Sequence, residues 1–304
     1  MGSRTASHPG PELRAGDEHE DAPPVTSESA DRVALVTGAS SGIGLATAIA
    51  FARRSYTVVG TMRDLDRAVN LTETAAAEGL SVETDQLDVT SNESVLRCAS
   101  GLLDRHGRID VVVNNAGVGH LGTLEDLAIS ELAHVIDVNC LGTARVTRAF
   151  LPAMRSARRG HLIAVSSIAG VFGQPFNEAY CAAKFALEGL YEALAPTAAS
   201  VGVSVSLIEA GMVSTGFYER TNRVGDTAHS PYAEQLTRFE RVAASAQATG
   251  QSAEEVAEVI ATVAADPNPR LRYQTAPEIS QLISRKLADI DGEIIQRMTR
   301  RWLS

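Results

Sequence analysis

The chain has 304 residues, of which 44% are hydrophobic and 21% charged, and its formal net charge is −10. This composition excludes a disordered protein, and the acidic balance argues against a general nucleic-acid surface, which needs clustered Lys and Arg. The three cysteines form no C-x-x-C pair, which excludes a disulfide framework and a zinc site, so we expect no metal.

The first 30 residues are rich in Pro, Ser, Glu and Asp. A segment so poor in apolar side chains does not offset the entropy of ordering it, so we predict a disordered tail over residues 1–30. This segment lacks the apolar core of a signal peptide, and no stretch of the chain approaches the roughly 18 apolar residues of a membrane span. We therefore expect a cytoplasmic protein without a membrane span.

From residue 31 onward, short apolar runs alternate with helical patterns. The predicted strands are Val33–Val36, Val58–Gly60, Leu80–Leu87, Ile109–Val113, His161–Val165 and Val203–Ile208. The predicted helices between them are Leu45–Arg54, Ser91–Arg105, Ala128–Phe150 and Ala179–Ala199. Continuous apolar strands separated by helices predict an α/β fold with a doubly wound parallel sheet and helices on both faces, in one domain over residues 31–304.

The last third of the chain has a weaker pattern and is predicted as a helical elaboration of the same domain. Residues 216–250 contain few apolar runs, and we expect them to form a lid on the substrate side. Ala253–Ala264 is predicted as a helix because its valines and isoleucine fall on one face. In the C-terminal extension, about 266–304, we expect an edge strand at Arg270–Gln274 and helical structure over Glu278–Trp302.

A glycine-rich turn follows the first predicted strand, over Thr37–Gly44. Glycines allow a tight turn and a close approach of backbone to a pyrophosphate, which then lies at the positive N-terminus of a helix. The spacing is G-x-x-x-G-x-G, and taken alone it is also compatible with a plain strand-to-helix turn. The candidate cofactor-binding residues here are Gly38, Ser40, Ser41, Gly42, Ile43 and Gly44.

A second group of residues is suited to proton transfer. Tyr180 and Lys184 are four residues apart and therefore share one face of a helix. A nearby ammonium lowers the pKa of a phenol from about 10 toward the working range, so Lys184 can make Tyr180 a general acid or base. Ser167, at the end of the fifth predicted strand, can donate a hydrogen bond to a substrate oxygen.

Together these blocks resemble the short-chain dehydrogenase/reductase family: Thr37–Gly44, Asn114–Gly117, Asn139, Ser167 and Tyr180-x-x-x-Lys184 occur in the order typical of it. The resemblance implies a Rossmann-like fold and an enzyme that moves a hydride between NAD(P)(H) and an alcohol/carbonyl pair. It implies catalytic roles for Asn139, Ser167, Tyr180 and Lys184, with Asn139 in a water-linked proton path to Lys184. Tyr180 and Lys184 are also expected to contact the cofactor, Lys184 at the nicotinamide ribose.

The same resemblance implies further cofactor contacts. Asp88 and Val89 fall where the family contacts adenine, although an Asp after a strand is also a common helix N-cap. Asn115, Ala116 and Gly117 belong to the cofactor cradle. Val213 and Thr215 are expected near the carboxamide, in a loop where Ala210 stands in place of the family's usual proline.

The choice of cofactor depends on the end of the second strand. An acidic residue there holds a ribose 2′-hydroxyl, whereas an Arg favours a 2′-phosphate. Here Met62 stands at the position where that acidic residue is expected, and it is followed by Arg63 and then Asp64. We therefore expect NADP(H), with NAD(H) as the alternative.

A closer resemblance indicates the substrate. The blocks Pro175–Leu190, Leu207–Gly211, Glu254–Val259 and Arg270–Tyr273 are similar to the branch that holds estradiol 17β-dehydrogenase and photoreceptor retinol dehydrogenases. This similarity implies a bulky, apolar small-molecule alcohol or ketone, and a homodimer or homotetramer that pairs the helices at 128–150 and 179–199. Two other functions remain open at this point: a regulator that senses NADPH without turnover, and a nucleotide-sugar epimerase or dehydratase.

Overall fold

The computed structural model describes residues 32–218, 220–223 and 230–303; the predicted tail at 1–30 lies outside them. The described strands are β1 (Val33–Thr37), β2 (Thr57–Met62), β3 (Glu83–Gln86), β4 (Val111–Asn114), β5 (His120–Leu121), β6 (His161–Ser167), β7 (Ser204–Ala210), β8 (Asn222–Arg223) and β9 (Arg272–Gln274). The described helices are α1 (Gly42–Arg53), α2 (Val69–Ala77), α3 (Asn92–His106), α4 (Ile129–Ile136), α5 (Gly142–Ala157), α6 (Glu178–Ser200), α7 (Ala233–Ala248), α8 (Ala253–Ala265), α9 (Pro277–Ala288) and α10 (Glu293–Arg300).

Seven of these strands form one parallel sheet in the order β3-β2-β1-β4-β6-β7-β9. The chain winds outward from β1 to β3 and then returns to place β4 on the other side of β1. This reversal opens a crevice at the carboxyl ends of β1 and β4, where open α/β sheets bind ligands. The predicted doubly wound, Rossmann-like fold is confirmed.

The sheet is covered on both faces, which explains why its central strands are continuously apolar. On one face α1, α2 and α8 pack against the sheet, with Phe51 and Ile260 fully buried. On the other face α3, α5 and α6 supply Leu102, Phe150 and Tyr191, which are also fully buried. A central strand therefore exposes neither face to water, and an apolar side chain fits at every position.

The chain is helical from Ile129 to Ala157, so the prediction of a helix at Ala128–Phe150 is confirmed in outline, but it missed a π-helical turn within this stretch. The chain forms α4, a π-helical turn at Asp137–Leu141, and then α5. The turn widens where the amide of Asn139 binds the backbone of Val118 outside the helix. Beyond it, α5 continues past Pro152 to Ala157, because Met154 is buried on its last turn.

Other boundaries also differ from the predictions. The third strand is shorter than Leu80–Leu87, and Glu83–Gln86 has no fully buried side chain. The region predicted as a lid contains the 16-residue α7, whose buried Leu236, Phe239 and Ala243 follow helical spacing. The terminal helical region is two helices, α9 and α10, separated by a turn that ends at Gly292 with φ +81°.

None of the described helices combines the length and apolar character that a membrane span requires.

The first turn of α1 packs closely on the loop after β4. A Cβ added at Gly44 would lie 2.4 Å from both the Asn115 Nδ2 and the Gly38 carbonyl oxygen. Neither atom is free to move, because that Nδ2 donates to the carbonyls of Thr37 (2.9 Å) and Gly38 (3.2 Å). Gly44 therefore sets the distance between α1 and this loop.

We expect Gly44→Ala to lower the free energy of unfolding by about 1–3 kcal/mol, as overpacking of a tight contact does. Gly101→Ala is the matched control, since no atom lies within 4 Å of a Cβ added there in α3. The control should be neutral or more stable by up to about 1 kcal/mol. Thermal unfolding of both variants and of the native chain tests this prediction. Equal stability of the Gly44 variant and the native chain would show that the contact between α1 and the loop has room for a methyl group.

Candidate active site

A cavity of about 570 Å³ lies at the carboxyl ends of the central strands. It brings together all the predicted site residues except Gly44. At Gly44, atoms of Asn115 and Gly38 occupy the place that a Cβ would take. The predicted residues that line the cavity are Gly38, Ser40, Ser41, Gly42, Ile43, Arg63, Asp88, Val89, Asn115, Ala116, Gly117, Asn139, Ser167, Tyr180, Lys184, Val213 and Thr215.

The glycine-rich turn between β1 and α1 forms one wall of the cavity. Gly38 and Gly42 have φ values of +68° and +58°, which favour glycine. At the N-terminus of α1, Ser41 makes no side-chain capping bond and the first turn contains no acidic residue. The first N–H groups of a helix carry partial positive charge, so this uncapped end fits the pyrophosphate of a dinucleotide.

The loop after β4 is tied to this turn by hydrogen bonds. The Thr37 hydroxyl accepts from the backbone N–H groups of Asn115 (3.0 Å) and Ala116 (3.1 Å). The Asn115 amide in turn donates to the Thr37 and Gly38 carbonyls. These bonds hold the ends of β1 and β4 in a fixed relation beside the cavity.

At the end of β2, two arginines line the cavity. The side chains of Arg63 and Arg67 are exposed and have no hydrogen-bond or ion-pair partner among the residues that the structure describes. Asp64, by contrast, accepts the N–H of Asp66 at 3.0 Å and caps the short helix that follows. Its carboxylate is thus engaged locally, and the two guanidinium groups remain available to an anion.

Asp88 lies opposite, after β3. Its carboxylate accepts from the N–H (2.9 Å) and the hydroxyl (2.7 Å) of Thr90. Burial opposes ionisation, but these hydrogen bonds together with the positive fields of Arg63 and His134 outweigh it and lower the pKa of the Asp88 carboxyl. The helix N-cap of α3 is Ser91 and not Asp88.

Asn139 connects the π-helical turn to the floor of the cavity. Its side-chain amide accepts from the Val118 N–H (3.2 Å) and donates to the Val118 carbonyl (2.9 Å) and the Val135 carbonyl (2.9 Å). A Cβ at Gly117 would lie 2.6 Å from the Asn139 Oδ1, so only glycine fits there. The side-chain amide is thus committed to the backbone, and the main-chain carbonyl of Asn139 accepts the Thr143 hydroxyl at 3.2 Å.

Ser167, Tyr180 and Lys184 meet where β6 ends and α6 begins. The Ser167 hydroxyl accepts the Ala169 N–H at 3.1 Å, and it also hydrogen-bonds Tyr180. The Lys184 ammonium is buried, donates to the Val165 carbonyl at 2.8 Å and lies 5.5 Å from the centre of the Tyr180 ring. Tyr180 is half-buried and lines the cavity, and its ring packs against that of Phe217.

Burial dominates the ionisation of this pair. It raises the pKa of Tyr180, an effect that the hydrogen bond from Ser167 partly offsets. It also lowers the pKa of Lys184 to about 8, against the opposing field of Glu188 one turn further along α6. Burial thus disfavours the charged form of each group.

The remaining wall is apolar. The sequence predicted residues 216–250 on the substrate side but named none of the individual side chains that form this wall. It is formed by the segment after β7 and by α7, which supply Met212, Phe217, Tyr218, Phe239 and Ala243. Leu121 of β5 lies in the same wall and packs with Phe176 and Phe239. The spacing of the buried residues in α7 was the one available sequence signal for this wall.

The comparisons with known proteins agree with this geometry. The model of the family "short chain dehydrogenase" matches residues 32–224, and the chain belongs to this family. It is 40% identical over 280 residues to retinol dehydrogenase 8 of Bos taurus, covering 88% of this chain and 89% of the relative. It is also 40% identical over 274 residues to human 17-beta-hydroxysteroid dehydrogenase type 1, covering 86% and 82%.

Solved structures give the same assignment. A short-chain dehydrogenase from Streptomyces avermitilis superimposes with a TM-score of 0.77 at 31% identity, covering 88% of this chain and 97% of that one. A metagenomic short-chain oxidoreductase in complex with NADP gives 0.65 at 30% identity, covering 80% and 96%. A Burkholderia phymatum short-chain dehydrogenase/reductase in complex with NAD gives 0.75 at 28% identity, covering 86% and 95%. The chain is thus an NAD(P)-binding oxidoreductase that acts on CH–OH groups of small molecules.

The buried Lys184 ammonium makes stability depend on pH in a definite sense. Below pH 8 the lysine is protonated in both the folded and the unfolded chain, and the folded state bears the full penalty of burying the charge. Between about pH 8 and its ordinary pKa of 10.5, the folded chain releases the proton first, so the penalty fades as pH rises.

We therefore expect native protein to gain stability relative to Lys184→Met as pH rises from 7 to 10. Thermal unfolding of both proteins across this range measures the difference. The chain's other lysine, Lys286, lies on α9 away from the cavity, so Lys286→Met is the matched control and should show a smaller change. A difference that stays constant with pH would contradict a buried, charged Lys184.

Proposed function

We propose that this chain is an NADP(H)-dependent short-chain dehydrogenase/reductase that interconverts a bulky, largely apolar ketone or aldehyde and its alcohol. One observation carries the proposal: a single cavity has an apolar wall beside Ser167 and Tyr180 and, at the end of β2, two arginines whose side chains have no partner among the described residues. The arginines fit a cofactor phosphate, and the wall fits an apolar substrate whose oxygen reaches the two hydroxyl groups.

Tyr180 is the proposed general acid and base. The bound nicotinamide supplies or accepts the hydride. The Tyr180 phenol donates its proton to the developing alkoxide in reduction and takes it back in oxidation. Ser167 hydrogen-bonds the same substrate oxygen and stabilises the negative charge that develops on it. Both residues line the same cavity, which supports the convergence of their hydroxyl groups on one oxygen.

Lys184 and Asn139 are proposed to support the proton transfer. The Lys184 ammonium is held by the Val165 carbonyl within 5.5 Å of the Tyr180 ring centre, where its positive charge favours the phenolate as the proton leaves. Lys184 is also the proposed contact for the nicotinamide ribose. Since the Asn139 amide is bound to Val118, its carbonyl is the atom proposed to hold water on the path to Lys184.

The cofactor preference rests on Arg63. A guanidinium pairs with a 2′-phosphate through charged hydrogen bonds, and Arg63 and Arg67 are both available for this. Asp64, the acidic neighbour that would favour NAD(H), is used as a helix cap. Asp88 and Val89 are proposed to contact the adenine, and Val213 and Thr215 the carboxamide.

The substrate proposal rests on the apolar wall and on the names of the relatives. Phe217 and Phe239 lie on the same side of the cavity as Tyr180, and each additional buried CH₂ contributes about 0.8 kcal/mol. The two similar proteins are named for retinol and for 17-beta-hydroxysteroids, both bulky alcohols with large apolar skeletons. We extend that substrate class to this chain, with a C-terminal lid over residues 216–250.

We also propose that the protein is a homodimer or homotetramer in the cytoplasm. The helices predicted to pair carry exposed apolar side chains: Ile129 on α4, Leu141 at the π-helical turn, and Phe185 and Leu190 on α6. A shared interface would cover them.

The function is tested with NADPH and two ketones, cyclohexanone and 4-phenylcyclohexanone. We expect kcat/KM to be higher for the phenyl compound, because it buries more apolar surface in the cavity. We also expect Tyr180→Phe to reduce turnover by about 10² to 10⁴ while NADPH binding is retained. Tyr56→Phe is the matched control, because Tyr56 packs on Phe51 in the core away from the cavity. Near-native turnover of the Tyr180 variant would exclude it as the proton carrier.

The cofactor preference is tested with Arg63→Ala. Loss of a charged hydrogen bond, about 1.5–3 kcal/mol, should weaken NADPH binding tenfold or more and leave NADH binding almost unchanged. The control is Arg97→Ala, which removes an exposed arginine paired with Glu93 on α3. Equal losses for both cofactors in the Arg63 variant would refute the contact with a 2′-phosphate.

A further inference from the structure

His120 is a buried polar residue that neither the fold nor the proposed reaction uses. It is 2% exposed, and neither of its ring nitrogens has a hydrogen-bond partner among the residues that the structure describes. Burial without a partner is costly for a polar group, so such a side chain calls for an explanation.

The position of His120 places it at the substrate end of the cavity. It lines the cavity that contains Tyr180, and its neighbour Leu121 packs with Phe176 and Phe239 in the apolar wall. It also lines a smaller cavity of about 310 Å³ between this wall and α4. His120 therefore borders space that a ligand can enter, between the apolar wall and the polar groups of the smaller cavity, and its two ring nitrogens lie buried there without a partner among the described residues.

The chain holds this imidazole in place. The backbone at Gly119 approaches the segment after β7 so closely that an added Cβ would lie 2.3 Å from the Thr221 hydroxyl oxygen. Leu121 pairs with β8, and the next residue, Gly122, donates its N–H to the Phe176 carbonyl at 2.9 Å. Main-chain contacts on both sides thus fix the position of His120. A histidine held in this way can discriminate between ligands by whether a polar group lies within its hydrogen-bonding reach.

The electrostatics favour a neutral partner. Burial lowers the pKa of His120, and the carboxylate of Glu131 only partly offsets this effect. A neutral imidazole has one N–H donor and one acceptor nitrogen, and a hydroxyl group likewise donates and accepts. Glu131 itself is engaged at the N–H of Ala128, while His134 and Arg220 line the smaller cavity from more exposed positions.

We propose that His120 is a specificity-determining residue that hydrogen-bonds a second oxygen of the substrate, a hydroxyl remote from the reacting carbonyl. This inference rests on the proposed function and narrows its substrate class to bulky apolar ketones or alcohols that carry another hydroxyl. A site built to bind a hydroxyl group discriminates strongly against analogues that lack it, because its own polar group is then left unpaired.

The test compares 4-phenylcyclohexanone with its 3-hydroxyphenyl, 4-hydroxyphenyl and 4-carboxyphenyl analogues, using NADPH and the full-length enzyme. We expect at least one phenol to exceed the parent ketone in kcat/KM by about tenfold or more. In His120→Leu this ratio should fall to about one, with the parent ketone reduced within about threefold of the native rate. His120→Gln keeps a donor and an acceptor and should restore part of the ratio.

A second measurement separates this inference from the proposed function. Reduction of the unsubstituted ketone tests the function alone. Calorimetric titration of the corresponding alcohols into enzyme loaded with NADP⁺ reports the hydroxyl preference whether or not turnover occurs. Equal preference in the native enzyme and His120→Leu, or stronger binding of the carboxylate than of either phenol, overturns the role of His120.

Discussion

Parallel strands point the same way, so their carboxyl ends meet at one edge of the sheet, and the chain beyond each end is free to carry chemistry. Here the reversal of winding between β1 and β4 separates the helices that follow these strands and leaves a crevice. The glycine turn, Arg63, Asp88 and Ser167 each follow a different strand into that crevice. The site is thus a consequence of strand order, and it forms only once residues far apart in sequence are paired in the sheet.

Asn139 does not follow a strand of the sheet. It lines the site from a π-helical turn between α4 and α5. A regular α-helix offers no unpaired backbone groups in its interior, whereas a π-helical turn loosens the hydrogen-bond ladder for a few residues. Asn139 uses this place to bind both main-chain groups of Val118, the residue after the cofactor cradle. The loop after β4 is therefore held at the floor of the cavity by a side chain from the π-helical turn. Residue 117 has to be glycine, because a Cβ there would clash with the Asn139 Oδ1.

The sequence was most informative where one physical requirement determined residue type. Buried parallel strands have to be apolar on both faces, so Val33–Val36 and His161–Val165 were located well, and Gly38 and Gly42 were required by positive φ. Predictions failed where tertiary contacts decided the outcome. The prediction of a helix at Ala128–Phe150 missed the π-helical turn at Asp137–Leu141, where Asn139 contacts Val118, a contact that no local pattern contains.

The substrate side was harder to predict for a related reason. Half of the residues of α7 are polar and the helix buries only a narrow stripe, so its packing is not evident until its partners Phe176 and Leu121 are known. A single histidine between Gly119 and Leu121 likewise carries no pattern. Its proposed importance depends on burial and on ring nitrogens that have no hydrogen-bond partner among the described residues, and both are properties of the folded chain. Such specificity-determining residues are difficult to predict from sequence, because the side chains that surround them come from several elements of the fold.

The ionisation of Tyr180 and Lys184 shows what the cavity does to the proposed reaction. Burial raises the pKa of the phenol, so near neutral pH the free site holds the proton on Tyr180, ready for donation. Burial lowers the pKa of Lys184 only to about 8, so the ammonium remains largely charged under the same conditions. A negative charge that develops on a substrate oxygen beside Ser167 is then met by a neutral acid backed by a fixed cation. The same desolvation that disfavours a resting phenolate strengthens the attraction between the ammonium and the phenolate formed as the proton leaves, because fewer water dipoles screen it.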